Sequence, residues 1–312
     1  LEVGHHAAVS RGRVAKDVAR VCEACAVEFD AAFDLLVARE ACDERLTILA
    51  LDARRDALLQ KHGFQDAFID LKARENEKML PLLPQVCRQI DALSGSEQLR
   101  AVIEGVFAGN IFDMGAEATA KQFLGDDAPD FFSTRSKLPK RPWLIDDFDA
   151  LEQRLLHAIP HRKAVFFIDN AGSDFLLGAL PMIRWLAQRG TRVILTANER
   201  PTLNDMTIYD VNAWWPRIVE VEPSLRDLPI DRVSSGTGEP LIDLLGVSQE
   251  LNRAAADADL VILEGMGRGV ESNLDAQFGC DGLILAMLKD AKVAGRIGGK
   301  LYDVVCQFKR AR

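Results

Sequence analysis

The sequence contains no hydrophobic run long enough to cross a membrane and no excess of positive charge. Apolar stretches such as residues 164–168 fall far short of the roughly 20 residues that a membrane-spanning helix requires. The 312 residues include 38 Lys and Arg against 47 Asp and Glu, a net charge of −9. Such a chain has no overall attraction for the phosphates of nucleic acids. We therefore expect neither a membrane nor a nucleic acid as a partner.

The six cysteines form no recognisable framework of disulfides or zinc ligands. Since the sequence has no start typical of a signal peptide, we expect reduced thiols and a cytoplasmic protein. Cys22 and Cys25 have the spacing of a zinc-ligand pair, but the second Cys or His pair of a structural zinc site is missing. Because the neighbouring apolar residues have helical spacing, we interpret both as buried helix cysteines.

The common nucleotide-binding loops are missing as well. The sequence has neither the G-x-x-x-x-G-K-[ST] pattern of phosphate-binding loops nor a full G-x-G-x-x-G. An ATPase and an NAD-dependent dehydrogenase are therefore disfavoured. What is present is the composition of a soluble globular protein, with 48% hydrophobic and 27% charged residues. A chain of this length and composition can bury a sizeable core.

Two patterns of hydrophobicity divide the chain. From about residue 13 to 123, apolar residues recur every three or four positions, which predicts helices. After residue 150, short β-branched and aromatic runs alternate with helical stretches, which predicts a parallel sheet of βαβ units. We expect an α/β fold with a helical N-terminal subdomain at 1–125, a linker at 126–150 and an α/β domain at 151–312. The predicted strands are 164–168, 192–196, 218–221, 260–263 and 301–308.

Polar side chains follow two of the predicted strands, at the edge where open parallel sheets bind ligands. Asp169 and Asn170 come directly after the first strand, and Asp205 follows the second. Adjacent strands lie roughly 5 Å apart, so these oxygen atoms can converge on one divalent cation such as Mg²⁺ or Mn²⁺. The alternative is that Asp169 and residues 204–205 cap the following helices, because Asp and Asn are preferred at helix starts.

A second polar loop, Glu264-Gly265-Met266-Gly267-Arg268, follows a later predicted strand. Its glycines let the backbone approach a ligand, and the Arg268 guanidinium suits phosphate oxygens. Lys289 is a candidate for the same anion, although a solvated helix lysine is the plainer interpretation. Asn110, in the polar segment 108–115, either closes the pocket from the helical half or caps the end of a helix.

Together these motifs resemble the DUF89 family of metal-dependent phosphatases. The resemblance is carried by Asp169-Asn170-Ala171-Gly172, Leu203-Asn204-Asp205, Gly109-Asn110-Ile111-Phe112-Asp113 and, most specifically, Glu264-Gly265-Met266-Gly267-Arg268 followed by Asn273. The last motif is similar to that of the EGMGR-containing subfamily, which includes the C-terminal domain of pantothenate kinase 4 and plant damage-control phosphatases. Supporting stretches such as Glu75-Asn76-Glu77 extend the resemblance from about residue 64 to the C-terminus.

The resemblance implies a helical N-terminal part packed on a Rossmann-like α/β/α domain. It also implies hydrolysis of phosphomonoesters with a divalent metal, namely Mn²⁺, Co²⁺, Ni²⁺ or Mg²⁺. The implied metal ligands are Asp169, Asn170 and Asp205, and the implied catalytic residues are Asp174 and Asp169. The implied substrate-binding residues are Asn110, Glu264, Gly265, Arg268, Asn273 and Lys289. The implied substrates are 4′-phosphopantetheine and its oxidatively damaged forms, with sugar phosphates as looser candidates.

Several alternatives remain open. Either a water molecule attacks the ester with Asp174 as its base, which we favour, or a carboxylate is phosphorylated first. A different class of function is a non-catalytic domain that senses a phosphorylated coenzyme A precursor, which needs Arg268 but no metal. A methyltransferase is a weaker third hypothesis, supported only by Asn198-Glu199 after the second strand. The oligomeric state does not follow from the sequence.

Overall fold

The computed structural model describes residues 15–40, 48–111 and 131–311 of the chain. Up to residue 111 the described segments are helical, as the spacing of apolar residues predicts. The helices are α1 (Ala15–Glu40), α2 (Ile48–Lys61), α3 (Ile69–Met79), α4 (Leu83–Asp91) and α5 (Gly95–Gly109), with a short 3-10 turn, Leu80–Leu82, between α3 and α4. No helix in the described segments is both long and apolar enough to cross a membrane.

A single sheet of seven strands forms the centre of the described α/β part. The strands are β1 (Ile145–Asp146), β2 (Lys163–Phe167), β3 (Arg192–Ala197), β4 (Ile230–Ser234), β5 (Leu260–Glu264), β6 (Asp281–Met287) and β7 (Val304–Lys309). Their order in the sheet is β1-β7-β6-β5-β2-β3-β4. All neighbours are parallel except β6 and β7, which run antiparallel. The predicted α/β class is therefore confirmed.

Helices cover both faces of this sheet. They are α6 (Phe131–Ser136), α7 (Phe148–His157), α8 (Leu180–Gln188), α9 (Ile208–Val221), α10 (Gln249–Ala255) and α11 (Ala291–Arg296). Phe166 of β2 packs into the core that contains α4, α5 and α8, whereas its neighbours Val165 and Phe167 pack into the core that contains α10 and α11. This alternation is that of a strand buried on both faces, and it produces three layers.

Two π-helical turns follow the two central strands. One, Asp174–Ala179, comes after β2, and the other, Met266–Glu271, comes after β5. Pro181 lies in the first turn of α8, directly after the first π-helical turn, and α8 ends before Gly190, whose φ is +92°. Single π-helical turns are rare and often lie at functional sites.

One of the predicted strands is wrong, and three strands of the sheet, β1, β4 and β6, are not among those predicted. Residues 218–221 form the last turn of α9 rather than a strand, and the chain reaches its next strand at β4. That strand contains Asp231 and Arg232 and lies at the edge of the sheet, so every side chain in it except Val233 is only partly buried, and its run is not apolar. β6 went unpredicted because its continuous apolar run fits a buried helix as well as a buried strand.

The segment predicted as a linker, 126–150, contains ordered elements in its described part. These are α6, β1 and the start of α7, and β1 pairs with β7 at the edge of the sheet. Phe131, Trp143 and Phe148 are buried in the same core as α5. The division of the chain into two subdomains stays a prediction.

Candidate active site

The candidate site lies at the carboxyl ends of β2 and β5, the neighbouring strands at the centre of the sheet. From β2 the chain continues to β3 and β4 on one side of the sheet, and then crosses to β5 and β6 on the other. Such a reversal leaves a crevice beyond the carboxyl ends of the two strands, where open α/β sheets bind ligands. Asp169 and Asn170 follow β2, and Glu264 is the last residue of β5.

The loop after β3 lies in this crevice because its backbone pairs with that of the loop after β2. Asn170 and Asp205 form an isolated antiparallel bridge, and the N–H of Met206 donates to the carbonyl of Asp169 at 2.9 Å. Leu203 turns the chain into this pairing with a φ of +44°, a left-handed conformation that is uncommon for a leucine. The pairing places Asp205 beside Asn170, as the sequence predicts.

Asp205 does not cap the helix that follows it. Thr207 is the N-cap of α9, where its hydroxyl accepts the N–H of Asp210 at 3.1 Å. The Asp210 carboxylate in turn accepts the N–H of Thr207 at 2.9 Å, which completes a capping box. The capping interpretation of Asp205 is therefore wrong, and its carboxylate faces the site instead.

The carboxylates of Asp169 and Asp205 face the same guanidinium. Nη1 of Arg268 donates to Asp169 Oδ1, and Nη2 donates to Asp205 Oδ2 at 2.7 Å. Asn198 Nδ2 also donates to Asp205 Oδ2, at 3.1 Å. All four side chains are buried. Two of the three predicted metal ligands, Asp169 and Asp205, therefore bind the same guanidinium. That guanidinium belongs to Arg268, which the sequence predicts to bind phosphate.

A cluster of three buried carboxylates lies beside this pair. One oxygen from each of Asp169, Asp174 and Glu264 lies within 4.8 Å of the others. Asn110 Nδ2 donates to Asp174 at 2.8 Å and to Glu264 at 2.9 Å, and it lies 3.3 Å from Asp169 Oδ2. Lys289 Nζ donates to the amide oxygen of Asn110 at 3.1 Å. Asn110 therefore fulfils both interpretations of its position, because it is the C-cap of α5 and also contacts the site.

This buried region holds more acid than base. Its acidic side chains are Asp169, Asp174, Asp205 and Glu264, and its basic side chains are Arg268 and Lys289. With every group ionised, two negative charges lack a counterion, and buried unpaired charge is very costly. Complete burial and the neighbouring Asp174 carboxylate raise the pKa of Glu264 well above its ordinary value.

The donor set fits a divalent cation. Asp174 Oδ1 is buried and has no hydrogen-bond partner among the described residues, although Oδ2 of the same carboxylate accepts from Asn110 and from Asn170. Carboxylate and amide oxygens are the ligands that hard cations prefer, and two positive charges are what the region lacks. The acid cluster is therefore able to hold a metal ion.

The predicted ligand set overlaps this cluster only in part. Asn170 Nδ2 donates to Asp169 Oδ2 at 3.0 Å and to Asp174 Oδ2 at 2.9 Å, so its nitrogen faces the acids. The geometry adds Asp174 and Glu264 to the carboxylates around Asp169. Which of these oxygens bind the ion stays a prediction, and so does the assignment of Asn170 and Asp205.

Gly265 is required by a close approach of the backbone to Asp169. Its φ is +100°, and a Cβ at this position would overlap the Asp169 carboxylate oxygen. No other residue combines this left-handed conformation with so little volume. Gly265, which the sequence assigns to the pocket, therefore allows the loop after β5 to lie against the loop after β2. This contact places Glu264 and Arg268 beside Asp169.

The two remaining predicted residues contact the site differently. Lys289 lies two residues after the end of β6 and is itself buried, so the solvated-helix interpretation is wrong. Asn273 Nδ2 donates to the carbonyls of Arg268 at 2.8 Å and Ile242 at 3.1 Å, which holds the turn that carries Arg268. A substrate contact by Asn273 stays a prediction. Asp113 lies outside the described residues.

A cavity of about 470 Å³ opens onto the site. This volume lies in the range of roughly 300–1,000 Å³ that small-molecule pockets occupy. The predicted metal ligands Asp169, Asn170 and Asp205 line it. Its other lining residues include the apolar Leu203, Leu241, Met266 and Val293 and the basic Arg55, Lys292 and Arg296. The cavity is therefore large enough for a ligand bigger than a phosphate group, and Asp169 is the member of the acid cluster that lines it, whereas Asp174 and Glu264 are fully buried.

Three residues that hold the site were missed at the level of sequence. Asn198, which binds Asp205, lies at a polar strand exit, which was the available signal. Lys72 and Asn76 of α3 contact the loops that carry Asp205 and Asn170. Lys72 lies in a charged stretch with the pattern of an ordinary amphipathic helix, so the sequence offers no signal that it is buried. Asn76 lies in the stretch 75–77 that supports the family resemblance, but the resemblance implies no role for it.

Comparison with known proteins agrees with this geometry. The profile of the damage-control phosphatase ARMT1-like domain matches residues 17–305. The chain belongs to this family. The resemblance to DUF89 phosphatases is thereby confirmed. A damage-control phosphatase of Arabidopsis thaliana is 40% identical over 262 residues, which are 83% of this chain and 71% of the relative.

Other relatives of this family member are much longer proteins. The 4′-phosphopantetheine phosphatase of Mus musculus is 31% identical over 317 residues, covering 85% of this chain and 38% of that protein. Pantothenate kinase 2 of Arabidopsis thaliana is 37% identical over 325 residues, covering 94% and 36%. A crystal structure of a DUF89 family protein from Pyrococcus horikoshii has a TM-score of 0.63 at 19% identity and 94% coverage of both chains, which supports the fold.

Proposed function

We propose that this chain is a metal-dependent phosphatase that hydrolyses phosphomonoesters of small metabolites. The observation that carries the proposal is the excess of buried carboxylates over cationic side chains beside a cavity of about 470 Å³. The names of its relatives, a damage-control phosphatase and a 4′-phosphopantetheine phosphatase, support the reaction class. We propose 4′-phosphopantetheine and its oxidatively damaged forms as the first candidate substrates, with sugar phosphates next.

The residues proposed to hold the metal are Asp169, Asn170 and Asp205, with Mn²⁺, Co²⁺, Ni²⁺ and Mg²⁺ as candidate ions. When bound, the metal supplies positive charge that polarises the phosphoryl group and offsets the charge that develops as the ester bond breaks. Support for this assignment comes from the two carboxylates that face one guanidinium and from the deficit of two positive charges.

Arg268 and Lys289 are proposed to bind the remaining phosphate oxygens. Both are buried, so their charge-assisted hydrogen bonds act in a region of low dielectric constant, where such bonds are strong. Arg268 presents two donors in a fixed fork, and it already binds two separate carboxylates through them. A phosphate that exchanges for one of these carboxylates keeps the guanidinium paired throughout the reaction.

Asp174 is the proposed general base. It removes a proton from the attacking water, and its Oδ1, which lacks a partner among the described residues, is the acceptor atom. Asn110 and Asn170 fix the other oxygen of the same carboxylate and so hold the base in place. Phosphorylation of Asp169 is the competing route, and it predicts an acid-stable phosphoprotein after rapid quenching, whereas direct attack by water predicts none.

The test is release of inorganic phosphate from a panel of phosphorylated metabolites, with each candidate metal in turn. We expect metal-dependent release, fastest with 4′-phosphopantetheine or one of its oxidised forms. A chain that binds 4′-phosphopantetheine in calorimetry but releases no phosphate with any metal would be the non-catalytic sensor instead. Equal turnover with and without metal would remove the metal from the proposal.

A further inference from the structure

Helix α3 carries two buried polar side chains that hold the two loops of the site. Lys72 and Asn76 lie one helical turn apart, so they project from the same face. Lys72 is 2% exposed and Asn76 is fully buried. Neither is among the residues that the reaction described above uses, and both come from the helical half of the chain rather than from the sheet.

Lys72 binds the loop that carries Asp205. Its Nζ donates to the Asp205 carbonyl at 3.3 Å, and it pairs with the Asp210 carboxylate at 2.5 Å and with Asp66 at 2.8 Å. Although burial disfavours the charged form, the Asp210 and Asp66 carboxylates raise the pKa of Lys72 above its ordinary value. The ammonium group therefore stays charged, and it connects α3, the Asp205 loop and the start of α9.

Asn76 binds the loop that carries Asn170. Its Oδ1 accepts the N–H of Gly172 at 2.7 Å, a short hydrogen bond in a region without exposure to solvent. Its Nδ2 lies 3.8 Å from the sulfur of Met206, the residue after Asp205. One amide therefore contacts both loops, and the N–H of Gly172 would lose its partner if the side chain were shortened.

We propose that Lys72 and Asn76 are positioning residues that set the distance between the Asn170 loop and the Asp205 loop. The two loops meet through only a few backbone hydrogen bonds. Helix α3 contacts both loops, through Lys72 and Asn76. Side chains that orient metal or phosphate ligands from behind typically contribute ten- to a hundredfold to affinity or activity. This inference rests on the proposed function only for its effect on kcat, because the rigidity of the two loops is measurable by hydrogen exchange without any turnover.

The test compares Lys72→Met and Asn76→Ala with a matched control, Arg184→Met. Arg184 is also a buried cation, and among the described residues its side chain donates to Asp91 and Ser224, neither of which belongs to the site. All three substitutions remove buried polar contacts, so all three are expected to lower the melting temperature. Only the two α3 variants are expected to affect the site.

Amide hydrogen exchange of the wild type and variants is the first readout. Exchange within residues 169–172 and 202–206 is expected to rise in Lys72→Met and Asn76→Ala, but not in Arg184→Met. Calorimetric titration with Mn²⁺ alone is the second, and we expect the dissociation constant to rise roughly ten- to a hundredfold in the α3 variants. Where phosphate is released, kcat is expected to fall with little change in KM for the phosphate ester.

The outcomes separate the two proposals. A wild type that releases no phosphate but shows the expected exchange pattern refutes the proposed function and keeps the positioning role. Unchanged exchange and unchanged Mn²⁺ affinity in both α3 variants, or the same changes in Arg184→Met, would overturn the positioning role. Two chemically different variants are used so that one that fails to fold leaves the other to decide.

Discussion

Asp205 adds one negative charge to a buried region that already holds more acid than base. Replacing it with Asn keeps the shape of the side chain and removes that charge. We expect Asp205→Asn to reduce metal-dependent phosphate release at least a hundredfold, because a proposed ligand and the partner of Arg268 are lost together. Phosphate release and thermal unfolding are measured in parallel, and the variant is expected to keep a single cooperative transition.

The matched control for this variant is Asp231→Asn. Asp231 pairs with Arg192 at 2.6 Å at the exposed edge of the sheet, where an ion pair contributes little. We expect wild-type turnover from the control. Full activity in Asp205→Asn would show that Asp205 is not a metal ligand.

Gly265 tests the close approach of the two central loops. In Gly265→Ala, the new Cβ would overlap the Asp169 carboxylate and the backbone would keep its φ of +100°. The control is Gly190→Ala, where φ is +92° but no atom lies within 4 Å of the added Cβ. Both variants force an alanine to a positive φ, which costs roughly 1–3 kcal/mol, and the cost is higher at Gly265 because its ψ of 155° places it in a region that essentially only glycine adopts. Only Gly265→Ala is expected to lose activity, and similar kcat/KM values in the two variants would contradict the packing argument.

At the scale of elements, α5 and the π-helical turn after β2 pack through glycine. A Cβ on Gly109 would lie 2.7 Å from the Ser173 carbonyl oxygen, whereas one on Gly105 would lie 3.6 Å from the Leu177 carbonyl oxygen, an ordinary contact. Gly109→Ala must therefore displace Asn110 or Asp174, which follow directly in each element.

We expect opposite effects from these two substitutions. Gly105→Ala should stabilise the protein by about 0.5–1 kcal/mol, because alanine favours the interior of a helix, and should leave turnover unchanged. Gly109→Ala should lower both the melting temperature and kcat. Denaturant unfolding and steady-state kinetics provide the two measurements. An active, stabilised Gly109→Ala variant would show that the site does not depend on the close packing of α5 against the π-helical turn.

The elements that the sequence predicts best are those with a clear period. The helices before residue 111 follow the spacing of their apolar residues, and β2, β3 and β5 are short apolar runs between turns. β6 could not be assigned in this way, since a continuous apolar run suits a buried helix and a buried strand equally. Residues 218–221 were not assigned correctly because their β-branched composition favours a strand, whereas they end a helix. Tertiary packing decided both cases. The burial of Lys289 has the same cause, because it follows from β6 being a strand.

At the scale of the whole molecule, the site assembles from five separate parts of the chain. Strand exits predicted that Asp169, Asn170 and Asp205 would meet, and the structure brings Asp169 and Asp205 to one guanidinium. The contributions of Lys72 and Asn76 could not be predicted, because they depend on how α3 docks against the sheet. Long-range docking of this kind leaves no local pattern in a single sequence.

The opposite end of the sheet contains a buried histidine that affects stability. Burial lowers the pKa of His161, and the Asp281 carboxylate, 2.9 Å from Nε2, opposes that shift only in part. Unfolding restores the ordinary value of about 6.5, so the unfolded chain binds more protons below that pH. The contribution of neutral His161 to stability is therefore present above about pH 6.5 and declines as the pH falls.

We expect the melting temperature of the wild type to fall between about pH 7 and pH 5.5, and that of His161→Gln to fall less. The comparison uses the slope of the melting temperature against pH, so the lower absolute stability of the variant does not affect it. Parallel slopes for the two proteins would show that His161 does not titrate between the folded and unfolded states in this range.

The central claim is that a buried excess of carboxylates makes this chain a divalent-cation phosphatase. Its most direct test is the initial rate of phosphate release from 4′-phosphopantetheine, measured on protein stripped with a chelator and titrated with Mn²⁺. We predict no release without metal and a rate that rises to saturation as Mn²⁺ fills the site. An undiminished rate in the stripped protein, or no release at any metal concentration, would contradict the account.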